Sequence, residues 1–412
     1  MILNKKVWIL SLQIFCLSFA DTTDLAKANA LLNTGNSYAI NHDYPSAIQV
    51  YKKILNIFPD SPSLHYNIGY ALNELTNYHE AATYFKTACS IKPDPQYYLG
   101  WATALLALGD YEQGWKLYEH RWQLPDKKNV RLPSTKWDGI SSLKGKNILL
   151  INEGALGDCL QFIRYAEPIK KKGAYVTVLI PPALVNICAC CPFIDQIITS
   201  ISQVESIDYW TSLMSLPALL ETTEQTIPQN IPYITLDPAL VHYWKNSFEP
   251  NGLIKVGICW QADTANDANR PPLAKRSISP EDFYPLSCLP QVVLYSLQYA
   301  QETPFFIQNF GNSIDTIHGR FMDTAAIMCN LDLVITVDTA IAHLSGALGI
   351  PTWLLLPFKA DWRWMTQRQE SPWYPTMRIF RVSKNESWTT LLKTVADTLS
   401  LSLTNHQGDE SW

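Results

Sequence analysis

The sequence predicts an α/β fold in which a pair of parallel-sheet domains follows an all-α repeat module. Three observations point there. Near the N-terminus, five positions recur at a spacing of 34 residues. Beyond residue 146, short apolar runs alternate with helical patterns, as in parallel strands joined by crossover helices. The alternation pauses at Pro250-Asn251-Gly252 and resumes at Ile254, so there are two such halves. A length of 412 residues has room for two to three domains. With 47% hydrophobic and 17% charged residues the chain can bury a core, and its net charge of -5 gives no footing for a nucleic-acid partner.

Residues 1–20 carry Lys5 and Lys6, then an apolar run from Val7 to Phe19, then small residues before Asp21. That is the plan of a signal-like leader, and the run is short for a membrane span. It reads as a leader or anchor, or as an apolar helix packed on the next module. Nine cysteines include Cys188, Cys190 and Cys191 in a tight group, with no CxxC pair and no zinc spacing. These read as reduced thiols. The leader suggests export or membrane association, whereas the cysteine usage favours the cytoplasm.

Residues 24–124 form the repeat module. Gly35, Tyr38, Ala47, Tyr51 and Pro59 return as Gly69, Leu72, Ala81, Phe85 and Pro93. This is the tetratricopeptide period, with small and aromatic residues where paired helices must interlock. A degenerate third unit carries Trp115, Tyr118 and Trp122. A short array cannot bury its own faces, so the module is expected to pack against the next domain, with those aromatics at the seam. Its groove can hold a peptide or protein partner, or the module is a stabilising cap. Residues 125–145 are the linker, with Trp137 as a hydrophobic anchor.

The first half, residues 146–250, opens with a strand at Lys146–Asn152. A loop with Glu153, Gly154, Gly157 and Asp158 comes next, then a helix that carries Gln161. This strand–loop–helix unit matches neither GxGxxG nor a Walker loop. Asp158 at the helix start reads as a cap or as a general base projecting from a strand end.

The second half, residues 251–404, begins with a strand ending at Trp260. A polar loop then closes on Lys275-Arg276-Ser277. Its cations would neutralise a diphosphate, or would simply pair across a surface loop. Gln298 ends the next strand. The apolar run Leu331–Ile335 leads to Asp338-Thr339-Ala340, with His343 one helical turn beyond Thr339. That turn reads either as a buried cap beside a core-facing His, or as a turn facing a bound phosphate or sugar. Residues 405–412 are a polar tail.

Glu153–Asp158 with Gln161-Phe162, Trp260 with the loop to Arg276, and Val337–His343 come in a telling order. They resemble the heptosyltransferase-like glycosyltransferases of family nine. Leu354–Phe358, Asp361–Trp364 and Ser371–Pro375 look like the tetratricopeptide-containing branch of that family. The resemblance implies a GT-B fold and inverting, metal-independent transfer, with no cofactor. The donor would be a nucleotide-diphospho-sugar held by the second half, and the acceptor a hydroxyl of a glycan, a lipopolysaccharide-type molecule or a protein. It implies Asp158 as general base and Lys275 or Arg276 as the cation on the leaving diphosphate. Asp338, Thr339, Ala340, His343, Gln298 and Trp260 would face the donor. Glu153, Gly154, Gly157 and Gln161 would form the acceptor-side loop.

Two departures stand out. Gly154-Ala155 replaces the Gln-Gly usual in the branch. Alanine takes positive φ at a cost, so a reshaped loop is expected. Ala340 stands where heptosyltransferases carry glycine, which weakens the inference to ADP-heptose. A protein O-glycosyltransferase fed by the repeat groove and a non-catalytic repeat scaffold are the other readings. Nucleotide sugars are made in the cytosol, which sits uneasily with an exported chain.

Overall fold

The computed structural model describes residues 22–127, 132, 134–204, 206–250, 252–262, 267, 270–299, 302–311 and 314–405. The signal-like leader, the tail beyond 405 and residues 263–266 and 268–269 of the polar loop lie outside the described residues. The chain divides into two compact units. One holds the repeat region with Glu221–Gln225 and Lys359–Gln367, and the other holds the rest.

Among the described residues, the repeat unit is built from α1 (Thr22–Ile40), α2 (Tyr44–Leu55), α3 (Pro62–Glu74), α4 (Tyr78–Ile91), α5 (Pro95–Ala107) and α6 (Tyr111–Tyr118). Successive helices pack on one another. The turns stop and restart the helices with side-chain caps: Asp43 accepts from the Ser46 amide, Asp94 from Gln96 and Asp110 from Gln113. The 34-residue period has a steric cause. A Cβ on Gly69 would lie 3.0 Å from the Phe85 ring, and one on Gly35 would lie 2.6 Å from Tyr51. Each first helix leaves out a side chain so that an aromatic of the second can fill the space.

Residues 359–367 complete this unit, although they come after the second half's fourth strand in sequence. Lys359 Nζ donates to the Asn73 carbonyl at 2.7 Å and to Tyr78 Oη at 3.3 Å, with Glu74 at 4.0 Å. Trp362 packs edge-on against Trp115 at 5.2 Å and lies 6.3 Å from Tyr118. The expected seam at Trp115 and Tyr118 is therefore occupied by a nine-residue strap from the C-terminal half.

The described residues of the second unit form two sheets. The strands are β1 (Thr135–Lys136), β2 (Asn147–Ile151), β3 (Tyr175–Leu179), β4 (Gln196–Ile198), β5 (Tyr209–Ser212), β6 (Ile254–Cys259), β7 (Val292–Ser296), β8 (Leu333–Val337), β9 (Thr352–Leu356) and β10 (Met377–Arg381). The first sheet runs β1-β5-β2-β3-β4 and the second β10-β9-β8-β6-β7, with every pair parallel. Helices α7 (Leu156–Phe162), α8 (Ala166–Lys171), α9 (Val185–Ala189), α10 (Leu216–Leu219) and α11 (Pro238–Lys245) belong to the first half and its exit. The second half carries α12 (Tyr284–Ser287), α13 (Met322–Met328), α14 (Ala340–Ala347) and α15 (Trp388–Asn405). Every residue of β8 and β9 is buried, as parallel strands covered on both faces require.

This is the predicted fold class: α/β, two parallel-sheet domains behind an all-α repeat module. One detail differs from expectation and one agrees with it. The stretch 125–145 is more than a connector, because Thr135–Lys136 adds an edge strand to the first sheet. Trp137 within it is 2% exposed and donates its Nε1–H to the Ser141 carbonyl, so it is an anchor. The described cysteines are all unpaired.

Gly69→Val should crowd the Phe85 ring and cost about 1–3 kcal/mol, seen as a lower midpoint in urea unfolding followed by far-UV circular dichroism. An unchanged or raised midpoint would show that the small–aromatic interlock does not set the repeat geometry.

Candidate active site

In an open parallel sheet, ligands bind beyond the carboxyl ends of the strands where the strand order reverses. The first sheet reverses at β2, which has β3 on one side and β5 on the other. The second reverses at β6, flanked by β7 and β8. The Glu153–Asp158 loop leaves the end of β2. Trp260-Gln261 leaves β6, and Asp338-Thr339 leaves the adjacent β8. Both candidate loops thus sit at switch points. Helix α7 packs on helix α14, so the two carboxyl edges face each other.

The first loop is held by its own polar groups. Asn152 Nδ2 donates to the Gly154 carbonyl at 3.0 Å. Ser212, at the end of β5, donates its hydroxyl to Glu153. Asp158 Oδ2 accepts the Ala155 amide at 2.7 Å, so one carboxylate oxygen closes the helix start. A Cβ on Gly154 would fall 2.3 Å from that oxygen, so glycine is needed for the carboxylate to lie there. Ala155 carries no backbone strain. Its φ of -74° and ψ of 178° are ordinary extended backbone, so the loop needs no positive φ at this place. Gln161, expected in the acceptor-side loop, is 0% exposed. Its place on the inner side of α7 puts it in the interior.

On the facing edge, Thr339 is the cap of α14 and its Oγ1 accepts the Ile341 amide at 3.2 Å. Asp338 pairs with Arg276, Nη1 to Oδ2 at 3.2 Å, with side chains 10% and 18% exposed. Arg276 Nε is buried and has no hydrogen-bond partner among the described residues. Of the two neighbouring cations, only Arg276 reaches the turn; Lys275 is exposed. Asp267 clamps this loop by accepting the Arg276 and Ser277 amides, each at 2.9 Å. Burial opposes its charge, but those amides and the Ser277 hydroxyl outweigh it and hold the carboxyl below its ordinary value.

Gln298 accepts the Gln261 amide at 3.0 Å and reaches the Gln261 carbonyl at 3.4 Å, tying the ends of β7 and β6 together. Trp260 is 1% exposed and belongs to the core of the second sheet. It therefore supports the site from beneath, which corrects its expected role as a donor contact.

His343 and Ala340 form the meeting point. A Cβ on Gly157 would lie 2.8 Å from His343 Cδ2 and 3.6 Å from the Ala340 Cα. His343 is 5% exposed, and its Nδ1 lies 3.0 Å from Tyr374 Oη.

One residue behind this contact carries no signal in the sequence. Arg164, 1% exposed, donates Nη1 to the Trp373 carbonyl at 2.6 Å and lies over the rings of Tyr233 and Tyr374 at 4.6 and 4.7 Å. Tyr374 in turn meets His343. The Ser371–Pro375 motif is visible in the sequence, but its partner in the other half is not.

Models of the tetratricopeptide repeat match residues 35–75 and 62–95. The chain is 26% identical over 408 residues to protein FlbA of Caulobacter vibrioides, covering 90% of this chain and 67% of that protein. Among solved structures it is similar to a glycosyl transferase family 9 protein from Veillonella parvula, with 12% identity and a TM-score of 0.48, over 65% of this chain and 99% of the other. It is also similar to the ADP-heptose lps heptosyltransferase II of E. coli, with 14% identity and a TM-score of 0.43, over 64% of this chain and 100% of the other.

Arg276→Met should leave the Asp338 carboxylate buried without its cation and destabilise the unit by about 3 kcal/mol. The double substitution Arg276→Met/Asp338→Leu should recover a large part of that loss in the same thermal melt. If the single variant is as stable as the parent, the ion pair does not organise the turn.

Proposed function

We propose that this chain is a glycosyltransferase that moves a sugar from a nucleotide-diphospho-sugar to an acceptor hydroxyl with inversion and without a metal. The observation that carries the reading is the contact of Gly157 with His343 and Ala340. It sets the Asp158 turn of one sheet against the Asp338–Thr339 turn of the other. A reaction between two substrates needs both held at one place, and facing switch points supply that.

In this reading, Asp158 takes the proton from the acceptor hydroxyl. The acceptor oxygen attacks the anomeric carbon from the side opposite the diphosphate. The bond from that carbon to the phosphate oxygen breaks as the new one forms. Negative charge gathers on the leaving nucleoside diphosphate, where Arg276 and the first amides of α14 stabilise it. Asp338 holds Arg276 in place and leaves its other N–H groups for the phosphates. Thr339 keeps the start of α14 fixed. The acceptor is a glycan, a lipopolysaccharide-type molecule or a protein, and the tetratricopeptide module supports a polypeptide partner. The reaction belongs in a compartment that holds nucleotide sugars.

A thermal-shift and calorimetric screen of ADP, UDP, GDP and their sugar conjugates tests the donor half. A matching nucleotide at a hundred times its Kd should raise the unfolding free energy by about 2.7 kcal/mol. Asp158→Asn should keep that binding and lower release of nucleoside diphosphate from the sugar donor by about a hundredfold or more. Failure of every nucleotide and conjugate to bind would remove the transferase reading.

A further inference from the structure

The strap that completes the repeat unit is held there as a short peptide is held in a docking site. It runs from one inter-helix turn to another. Lys359 sits at the α3–α4 turn, where Nζ donates to the Asn73 carbonyl and to Tyr78 Oη. The same Nζ lies 4.0 Å from a Glu74 carboxylate oxygen and 4.8 Å from the centre of the Tyr78 ring. Met365 reaches the α5–α6 turn, its Cε 3.1 Å from the place where a Cβ on Gly109 would stand. Between the two, Trp362 rests against Trp115 and Tyr118 of α6, and the Arg363 guanidinium lies over its ring at 4.2 Å.

A lysine and a tryptophan three residues apart thus meet two different surroundings along the turns of the repeat unit. One is made of carbonyl, hydroxyl and carboxylate oxygens beside a ring face, which suits an ammonium group. The other is made of aromatic rings, the kind of contact that anchors a bound segment. Two features mark the strap as a releasable ligand. Its flanks, Phe358 and Arg368, belong to the other unit, so it is a visitor tethered at both ends. Its exit is strained as well. Met365 has φ 49° and ψ -161°, and Gln367 has φ 57°, backbone that residues other than glycine adopt at a cost. That strain opposes the side-chain contacts that hold the strap down.

We propose that these turns are a docking site for polypeptides that present a lysine followed three residues later by a tryptophan, and that the strap fills the site in cis until such a polypeptide displaces it. A segment tethered at both ends competes at a high local concentration, so the site opens to a partner in trans when the strap's own anchors are weakened. Displacement reaches the second unit through the chain itself. Beyond the strap come Trp373, whose carbonyl accepts from Arg164, and Tyr374, which meets His343. The docking site stands whether or not the second unit transfers a sugar.

The test is fluorescence anisotropy of a labelled synthetic peptide with the sequence of residues 357–368, titrated with the full chain. The Trp362→Ala chain, whose strap has lost its aromatic anchor, should bind this peptide about tenfold or more tightly than the parent chain. The Lys359→Ala chain should shift in the same direction, and it carries the test if the tryptophan variant fails to fold. A peptide with both Lys359→Ala and Trp362→Ala should bind the variant chains about tenfold or more weakly than the unaltered peptide. In the Lys359→Ala chain, bound peptide should quicken amide hydrogen exchange at Trp362–Gln367, because the strap has been displaced. Equal peptide affinity for the parent and the variants overturns the proposal, as does no binding to any of them. Equally tight binding of the doubly altered peptide would mean an adhesive surface and overturns it too. So does unchanged exchange of the strap under bound peptide, which would place the peptide elsewhere.

Discussion

The contact between α7 and α14 is where the two sheets of the second unit become one site. Each helix starts at the carboxyl edge of its own sheet, and each start carries polar groups that face outward from that edge. Left apart, they would be two ordinary helix caps, Asp158 on the Ala155 amide and Thr339 on the Ile341 amide. Gly157 lets them approach so closely that no Cβ fits between it and His343. The same glycine determines how far Asp158 stands from the Asp338 turn. A glycine here is therefore a distance setting between two chemical groups rather than a freedom of the backbone.

Behind the contact, Arg164 holds the two halves in register. A cation buried this deeply is costly unless its charge is met. Here two tyrosine faces and the carbonyls of Trp373 and Pro228 meet it. Aromatic faces are a softer partner than a carboxylate and impose less direction. The arrangement links the segment after α7 to Tyr374, and through Tyr374 to His343. Asp267 plays a similar part for the cationic loop, with both its oxygens on the backbone that presents Arg276.

Much of this is legible in the sequence, and the reasons are local. The 34-residue period shows because each repeat buries the same small and aromatic pair. The Asp158 loop and the Asp338 turn show because strand–loop–helix units announce themselves by an apolar run and a break. The hidden features are non-local. Strand β5, Tyr-Trp-Thr-Ser, is only four residues long and takes its place by pairing with β1 and β2, yet it creates the first switch point. Trp260 and Gln161 occupy positions next to loop residues and look like site residues, but the direction of each side chain depends on packing that one sequence does not display. Arg164 with Tyr233 and Tyr374, and Arg276 with Asp338, are matches between separate segments, and a separation of that kind leaves no periodic trace.

The strap at Lys359–Gln367 bears on how the chain comes to be folded at all. Lys359 and its acceptor Asn73 are 286 residues apart, so the repeat unit is made of segments that emerge from the ribosome far apart in time. At about 5–20 residues per second, the intervening 286 residues take on the order of 15–60 s to appear. For most of that interval the nascent helices carry Trp115 and Tyr118 without Trp362 to cover them. A high-contact-order closure of this kind makes completion of the N-terminal module wait for the C-terminal half, reversing the usual sequence in which the first-made domain is finished first.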